Sequence, residues 1–328
     1  MLTSTIAIVA GFVVLVWGAD RFVVGAAATA RNLGVSPLIV GLTVVGIGTS
    51  APEMLVSGMA AWQGSSSLGI GNALGSNITN IALILGLTAV ITPLRVRSEV
   101  LRREFPLLFA IMVAALMLMV DGHLGRLDGG LLLAGMAVLL YWMVSLAVSG
   151  RTDALVGEYE AEMPQQMSTG RALLWLALGM ALLLVSSRAL VWGAVNVATL
   201  LGVSELAIGL TIVAIGTSLP ELAASVMSAL KGEHDIAIGN VMGSNMFNLL
   251  AVLGLPGLIH PDVVPELALR RDYAVMIGLT LVLFALAYGF RGHGRINRLE
   301  GALLLLGFGG YQMLLYLTEQ PTVSGILQ

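Results

Sequence analysis

The sequence predicts an all-α polytopic membrane protein whose ten transmembrane helices form two inverted five-helix repeats. Three observations lead to this prediction: an apolar composition, ten apolar windows of membrane-spanning length, and a segment that occurs twice along the chain. Of the 328 residues, 57% are hydrophobic and only 11% are charged, and the mean hydropathy is +0.94. Soluble globular chains carry about 25% charged residues, so this composition excludes a soluble protein.

Each of the ten windows approaches the length of about 20 mostly apolar residues that a transmembrane helix needs. They lie near 5–30, 36–62, 68–91, 104–121, 128–148, 172–198, 204–230, 236–259, 271–290 and 298–318. The second and seventh windows are polar and interrupted by Gly and Pro in their middle. The concentration of Lys and Arg in alternate loops predicts that both termini lie outside and that the linker 149–170 is cytoplasmic.

The two halves of the chain repeat each other without a gap, with Gly34 of the first half aligned to Gly202 of the second. Each half carries five windows, and this odd number requires the second half to be inverted relative to the first. Inverted repeats are typical of secondary transporters with a substrate site at the bilayer midplane. The predicted domains are a first repeat at 1–148 with its repeated segment at 34–87, the linker 149–170, and a second repeat at 171–328 with the matching segment at 202–255.

A first motif, Gly-Thr-Ser-x-Pro-Glu, occupies 48–53 and again 216–221, each time in the middle of a window. Proline removes a backbone N–H, so we expect each helix to be broken there. The break would free backbone carbonyls at Gly46 and Thr49 in one half and at Ala214 and Thr217 in the other. Hydrocarbon does not tolerate such carbonyls unless something fills them, and a bound cation would do so.

Glu53 and Glu221 end the two copies of this motif, at a depth where an ionised side chain costs several kcal/mol unless it is compensated. Neutral, hydrogen-bonded glutamates that serve packing alone are the structural alternative. The occurrence of the pair at corresponding places of two repeats favours ion binding.

A second motif, Gly-Asn-x-x-Gly-Ser-Asn-x-x-Asn, occupies 71–80 and 239–248. Its glycines are explained by close approach of membrane helices. Its polar residues recur at four-residue spacing and so share one helix face. For Asn80 and Asn248 the sequence leaves two roles open, which are ion coordination and interhelical hydrogen bonding.

The candidate ligands are all oxygen atoms, which suit a hard cation such as Ca²⁺ with its six to eight ligands. The chain has no Cys, and its four His fall in predicted loops or span ends, so a Zn²⁺ or Cu⁺ site is not indicated. Two glutamates balance one Ca²⁺, and the same cage can hold Na⁺ ions instead. Competition for shared ligands predicts an exchanger with no cofactor, no covalent chemistry and no nucleotide, since no phosphate-binding Gly-rich loop occurs.

At these motifs the sequence resembles the cation/Ca²⁺ exchanger superfamily, and most of all the bacterial inner-membrane sodium/calcium antiporters. The resemblance covers nearly the whole chain. It implies a rigid eight-helix core around the site and two long tilted helices, near 5–30 and 172–198, that slide across the core. It also implies a protein of the bacterial inner membrane whose partners are Ca²⁺, Na⁺ and the lipid bilayer.

The resemblance assigns ion-binding roles to twelve residues. It implies a Ca²⁺ site at Glu53 and Glu221 with the carbonyls of Thr49 and Thr217. Flanking Na⁺ sites would use Ser50, Ser218, Ser76, Ser244 and the carbonyls of Gly46 and Ala214, and the central polar positions would be Asn80 and Asn248. Some family members have an aspartate at one of these last two positions, whereas this chain has two asparagines, which leaves the Na⁺ stoichiometry and the choice between Na⁺ and H⁺ open.

Three other functions remain as alternatives. A Ca²⁺/H⁺ antiporter would protonate Glu53 and Glu221 in its return step. A cation channel would line a continuous pore with the polar helices. An intramembrane hydrolase would use Ser50 as its nucleophile, but no predicted span supplies a His or Lys base, so the sequence does not indicate an enzyme.

Overall fold

The computed structural model describes residues 1–96, 103–149, 167–201, 214–288 and 294–318, and these are mostly helical. In the first half the helices are α1 (Leu2–Leu33), α2 (Pro37–Val40), α3 (Gly46–Thr49), α4 (Ala51–Trp62), α5 (Ser66–Thr79), α6 (Gly86–Ile91), α7 (Phe105–Met119) and α8 (Arg126–Ser149). In the second half they are α9 (Thr169–Leu200), α10 (Ala214–Thr217), α11 (Leu219–Leu230), α12 (His234–Phe247), α13 (Gly254–Ile259), α14 (Ala274–Ala287) and α15 (Arg298–Thr318).

A helical segment lies in each predicted window, within the parts of the chain that the structure describes. By length and apolar composition, six of the described helical segments can cross a membrane, or seven if the pair that meets at Ser50 is one bent span. The count of ten crossings, the positions of the termini and the domain bounds stay predictions. Most of the linker 149–170 and the start of the second repeated segment, 202–213, lie outside the described residues.

Among the described residues, four π-helical segments of five or six residues interrupt or extend these helices: Gly41–Val45, Asn80–Leu85, Asn248–Val252 and Ala268–Tyr273. A π-helical turn holds one residue more than an α-helical turn and often marks a functional site. Two of the four begin at Asn80 and Asn248, the last residues of the second motif, so the two repeats share this irregularity at matching positions.

Two central spans form the interior of the bundle. In the most apolar 18-residue stretch of each span, 72% of the residues are buried for 66–91 and all of them for 234–259, whereas the share is 28% or less for the four other long apolar spans. Large apolar side chains such as Leu74, Ile78 and Phe247 fill the space around the two central spans. The second motif therefore lies on the two most enclosed helices, and the outer helices present apolar side chains to the surroundings.

Two short antiparallel ladders join the halves of the chain. Strand β1 (Leu94–Arg95) pairs with β4 (Arg295–Ile296), and β2 (His123–Leu124) pairs with β3 (Asp262–Val263). Each ladder takes one strand from each half. The halves therefore interlock and do not form separate domains with independent cores.

Helices α1 and α9 pack against each other along most of their length, because small residues let their backbones approach closely. A Cβ atom at Gly18 would meet Leu182, one at Gly25 would meet the backbone of Leu176, and one at Gly193 would meet the carbonyl of Ser4. Residues further along α1 therefore contact residues earlier in α9. These corresponding helices of the two repeats therefore run antiparallel.

We predict that Gly179→Ala destabilises the protein by about 1–3 kcal/mol, because the added methyl group has no room. A Cβ atom there would lie 2.5 Å from the backbone nitrogen of Phe22. Gly310→Ala is the matched control: Gly310 lies in α15 with nothing within 4 Å of a Cβ atom. Thermal unfolding of the purified protein in detergent should show a lower midpoint for the first variant only, and equal midpoints would contradict this description of the interface.

Candidate functional site

Each copy of the first motif interrupts its helix, as the sequence predicts. Ser50 separates α3 from α4 with φ −81° and ψ 0°, and Ser218 separates α10 from α11 with φ −90° and ψ 8°. Pro52 and Pro220 lie in the first turn of the helices that follow, where the missing N–H costs nothing. The helical segments on either side of Ser50 are bent by 42°.

The carbonyl groups at the breaks differ from the expectation in one respect. The carbonyl of Gly46 is not freed, since it accepts the backbone N–H of Ser50 at 3.0 Å. The last α-helical hydrogen bond of α3 is therefore the one from Ser50, and the missing N–H of Pro52 affects the carbonyl of Gly48 instead. The same carbonyl also accepts the hydroxyl of Thr49 at 3.4 Å, so both of its lone pairs have a partner and its role as a ligand stays a prediction.

In the second half the corresponding carbonyl is that of Gly216, which lies four residues before Pro220. It accepts a hydrogen bond from the hydroxyl of Ser187 in α9 at 2.9 Å. This contact ties the long helix to the broken one, and the sequence motifs did not predict it. The alignment of the two halves places Ala19, which has no hydroxyl, at the position that corresponds to Ser187.

Glu53 and Glu221 are each 1% exposed, in the first turns of α4 and α11. The two copies of the first motif meet in the structure. Ser50 Oγ of the first copy lies 3.5 Å from Glu221 Oε1 of the second copy. Among the described residues, both carboxylate oxygens of Glu53 and Oε2 of Glu221 have no hydrogen-bond partner. Buried carboxylate oxygens without a hydrogen-bond partner are energetically costly unless a cation or a proton neutralises them.

The second motif lies beside these glutamates. Thr49 Oγ1 is 3.1 Å from Asn240 Oδ1 and 3.5 Å from Ser244 Oγ, so the break of the first half contacts α12 of the second half. Asn80 Nδ2 donates to Asn245 Oδ1 at 3.1 Å across the two central spans. The structure thus brings together residues of both motifs from both halves of the chain.

Further oxygen atoms at this place are buried and have no partner among the described residues. They belong to the two motifs and are those of Asn80 (Oδ1), Asn248 (Oδ1), Ser218 (Oγ) and Asn77 (Oδ1), of which Asn77 and Asn248 have no contact with either glutamate among those described. Ser76 and Ser244 are also buried, at 5% and 0% exposure. Ala214 and Thr217 lie in α10, directly before the second break. The predicted site residues therefore fall on the broken helices and on the two central spans.

Asn77 and Asn245 were not among the predicted ligands, although both are 1% exposed. The signal was present in the sequence, because each follows the motif serine directly and the two align in the repeat. Both fall outside the four-residue spacing that defines the polar face. An amide at this neighbouring position still faces the interior, because residues 76–82 and 241–252 of the two central spans are all buried.

The donor set is rich in oxygen and contains two carboxylates. No group of three or more His, Cys, Asp or Glu side chains occurs among the residues that the structure describes, so a cage of the Zn²⁺ type is not present there. His123 and His260 are exposed and His234 is half-buried at the start of α12, while His293 lies outside the described ranges. Oxygen ligands of this kind suit Ca²⁺ or Na⁺.

The model of the family described as sodium/calcium exchanger protein matches residues 3–145 and 171–317. The chain belongs to the sodium/calcium exchanger family. It is 50% identical to the putative antiporter CaxA of Alkalimonas amylolytica, over 96% of this chain and 99% of the relative. It is 44% identical to the inner membrane protein YrbG of Escherichia coli (strain K12), over 96% and 98%, and 30% identical to the sodium/calcium exchanger MaX1 of Methanosarcina acetivorans, over 93% and 96%.

The fold agrees with this family. The sodium-calcium exchanger NCX_Mj, in crystals soaked with Na⁺ and Ca²⁺, superposes with a TM-score of 0.80 at 30% identity, over 97% of this chain and 99% of that one. The chain is therefore an integral membrane protein of a transporter family, the cation/Ca²⁺ exchanger superfamily, as the motifs indicated.

We predict that Ser187→Ala lowers the free energy of unfolding by about 1–3 kcal/mol, because the buried carbonyl of Gly216 loses its hydroxyl donor. Ser186→Ala is the control, since Ser186 Oγ donates only to Leu182 and Leu183 of its own helix. Unfolding of the two variants in detergent should separate them. Equal stability would mean that the contact between Ser187 and Gly216 contributes nothing.

Proposed function

We propose that this family member is a secondary active transporter that exchanges Ca²⁺ for Na⁺ by alternating access through one site at Glu53 and Glu221. The observation that carries this proposal is the group of buried oxygen atoms without a protein partner among the described residues, contributed by both halves of the chain at the two helix breaks. Such a group is costly in a membrane protein unless cations occupy it. A site that two kinds of cation share is what an exchanger requires.

Charge balance supports Ca²⁺ as one of the two ions. Two ionised carboxylates carry the charge that one Ca²⁺ neutralises, and six to eight oxygen ligands satisfy its coordination. Na⁺ ions can use the same carboxylates together with hydroxyl, amide and carbonyl oxygens. When Na⁺ occupies these ligands, Ca²⁺ loses them, and this competition couples the movement of one ion to that of the other.

The proposed ligand set is the one that the motifs predict. The carboxylates of Glu53 and Glu221 would be joined by Thr49, Thr217, Ser50, Ser218, Ser76, Ser244, Asn80, Asn248, Gly46 and Ala214. The carbonyl of Gly46 accepts the N–H of Ser50 and the hydroxyl of Thr49, so it would bind an ion in place of the longer of these contacts, that with Thr49 at 3.4 Å. The transported ions bind as substrates, and no resident cofactor is part of this proposal.

We further propose that the chain has ten transmembrane helices in two inverted repeats, 1–148 and 171–328, with both termini outside and 149–170 in the cytoplasm. The antiparallel packing of α1 against α9 supports the inversion, because these helices occupy corresponding places in the two repeats. The recurrence of the helix break and of the π-helical segment at aligned positions of the two halves supports the repeat itself.

The names of the relatives point to the same function. CaxA is called a putative antiporter, and MaX1 is called a sodium/calcium exchanger. NCX_Mj is a sodium-calcium exchanger whose crystals were soaked with Na⁺, Ca²⁺ and Sr²⁺. The name of YrbG, an inner membrane protein of Escherichia coli, supports the bacterial inner membrane as the location of this chain.

We predict that ⁴⁵Ca²⁺ uptake into proteoliposomes requires internal Na⁺ and falls at least about tenfold in Glu53→Gln and in Glu221→Gln, because each variant removes a charge that balances Ca²⁺. Glu266→Gln is the matched control, since Glu266 is exposed and pairs with Arg270 four residues away. That variant should transport at the wild-type rate.

Three outcomes of this assay would contradict the proposal. Uptake driven by a pH gradient alone, without Na⁺, would identify a Ca²⁺/H⁺ antiporter that protonates the same glutamates. Flux that rises linearly with driving force, without saturation or countertransport, would identify a channel. Normal uptake in both glutamate variants would remove Glu53 and Glu221 from the site.

A further inference from the structure

The carboxylates of Glu53 and Glu221 form few hydrogen bonds with the protein, so the position of each carboxylate depends on the backbone of its helix. Among the described residues, Glu53 has no hydrogen-bond partner on either carboxylate oxygen, and Glu221 has a 3.5 Å contact with Ser50 at Oε1 and no partner at Oε2. An exchanger benefits from carboxylates that can adapt to different ions. The same freedom requires that the helical turn beneath each carboxylate be fixed.

One asparagine from each central span reaches the backbone at each glutamate. Asn72 Nδ2 donates to the carbonyl oxygen of Glu53 at 3.2 Å and to Ser57 Oγ at 2.9 Å. Asn240 Nδ2 donates to the carbonyl oxygen of Glu221 at 3.1 Å and to Ser225 Oγ at 2.8 Å. Corresponding distances in the two halves are thus nearly equal.

The partners are matched in sequence as well as in distance. Each asparagine lies 19 residues after its glutamate and 15 residues after its serine, and in each half the serine is one helical turn beyond the glutamate. An amide NH₂ group has two hydrogens, so one group can hold the carbonyl and the hydroxyl at once. The geometry ties the first turn of each glutamate helix to the neighbouring central span.

Among the described residues, Asn240 has one contact more than Asn72. Thr49 Oγ1 lies 3.1 Å from Asn240 Oδ1 and 3.0 Å from the carbonyl oxygen of Val45, so its one hydrogen is shared between two acceptors, and the acceptor end of the Asn240 amide faces the helix break of the first half. Asn240 is 0% exposed, whereas Asn72 is partly exposed. Asn240 therefore links Thr49 of one motif copy to Glu221 of the other.

We propose that Asn72 and Asn240 are positioning residues of the ion site, and that Asn240 in addition fixes the spacing between the two halves of that site. This inference rests on the proposed exchange at Glu53 and Glu221. Neither asparagine is a ligand in this proposal: each acts through the backbone of a glutamate. Loss of Asn240 therefore weakens Ca²⁺ binding more than loss of Asn72.

The test compares the Ca²⁺ concentration for half-maximal uptake with the maximal rate, in Na⁺-loaded proteoliposomes of known protein content. Asn240→Ala should raise the half-maximal concentration about tenfold or more, the factor that one hydrogen bond of ordinary strength produces, and Asn72→Ala should raise it less. Asn240→Asp keeps an acceptor for Thr49 but loses the NH₂ donor, so it should also bind Ca²⁺ more weakly than the wild type.

Asn196→Ala is the matched control. Asn196 also donates its amide to a backbone carbonyl, that of Trp192 at 2.8 Å, but this hydrogen bond is exposed and lies within α9. The variant should leave the half-maximal concentration unchanged. The amplitude of the thermal unfolding transition in detergent measures the amount of folded protein in each variant. This measurement separates weak ion binding from poor folding.

Two results would overturn the inference. If Asn240→Ala and Asn72→Ala lower only the maximal rate, in proportion to the loss of folded protein, the asparagines serve packing alone. If the effect of Asn72→Ala equals or exceeds that of Asn240→Ala, the additional contact with Thr49 has no role. Failure of the wild type to exchange Ca²⁺ for Na⁺ would instead count against the proposed function, so the two failures are distinguishable.

Discussion

The burial of two carboxylates at the centre of a membrane protein is the constraint on which the rest of the site depends. Glu53 and Glu221 are each 1% exposed, and among the described residues neither forms an ion pair with Lys, Arg or His. Ionised carboxylates in such a place are tolerated only if mobile cations or protons supply the missing charge. A transported cation bound at these carboxylates would supply the positive charge that the core of the protein lacks.

The helices around the two carboxylates are arranged so that they can hold a cation there. The breaks at Ser50 and Ser218 place each glutamate in the first turn of a helix, where the positive end of the helix dipole favours negative charge. The most enclosed helices bring amides and hydroxyls, which can satisfy a cation without adding a third charge. The outer pair, α1 and α9, packs through glycines and small residues, and Ser187 joins this pair to one of the broken helices.

Much of this arrangement could be predicted from the sequence, because it is local or repeated. Apolar windows located the helical segments, proline and glycine located the breaks, and the constant offset between halves related the two motifs. The missed features depend on distant partners: Ser187 meets Gly216 29 residues away, and Thr49 meets Asn240 191 residues away. Spacing along one helix shows which residues share a face, but not which atoms that face will meet, so neither contact could be deduced.

In the proposed exchanger, Ca²⁺ and Na⁺ compete for one set of buried oxygens. Calorimetric titration of Ca²⁺ into the purified protein in detergent, at a series of Na⁺ concentrations, measures this competition. We expect Na⁺ to raise the apparent dissociation constant for Ca²⁺ while the number of Ca²⁺ ions bound at saturation stays the same. A dissociation constant that does not change with Na⁺ would mean that the two ions bind independently and would rule out a shared site.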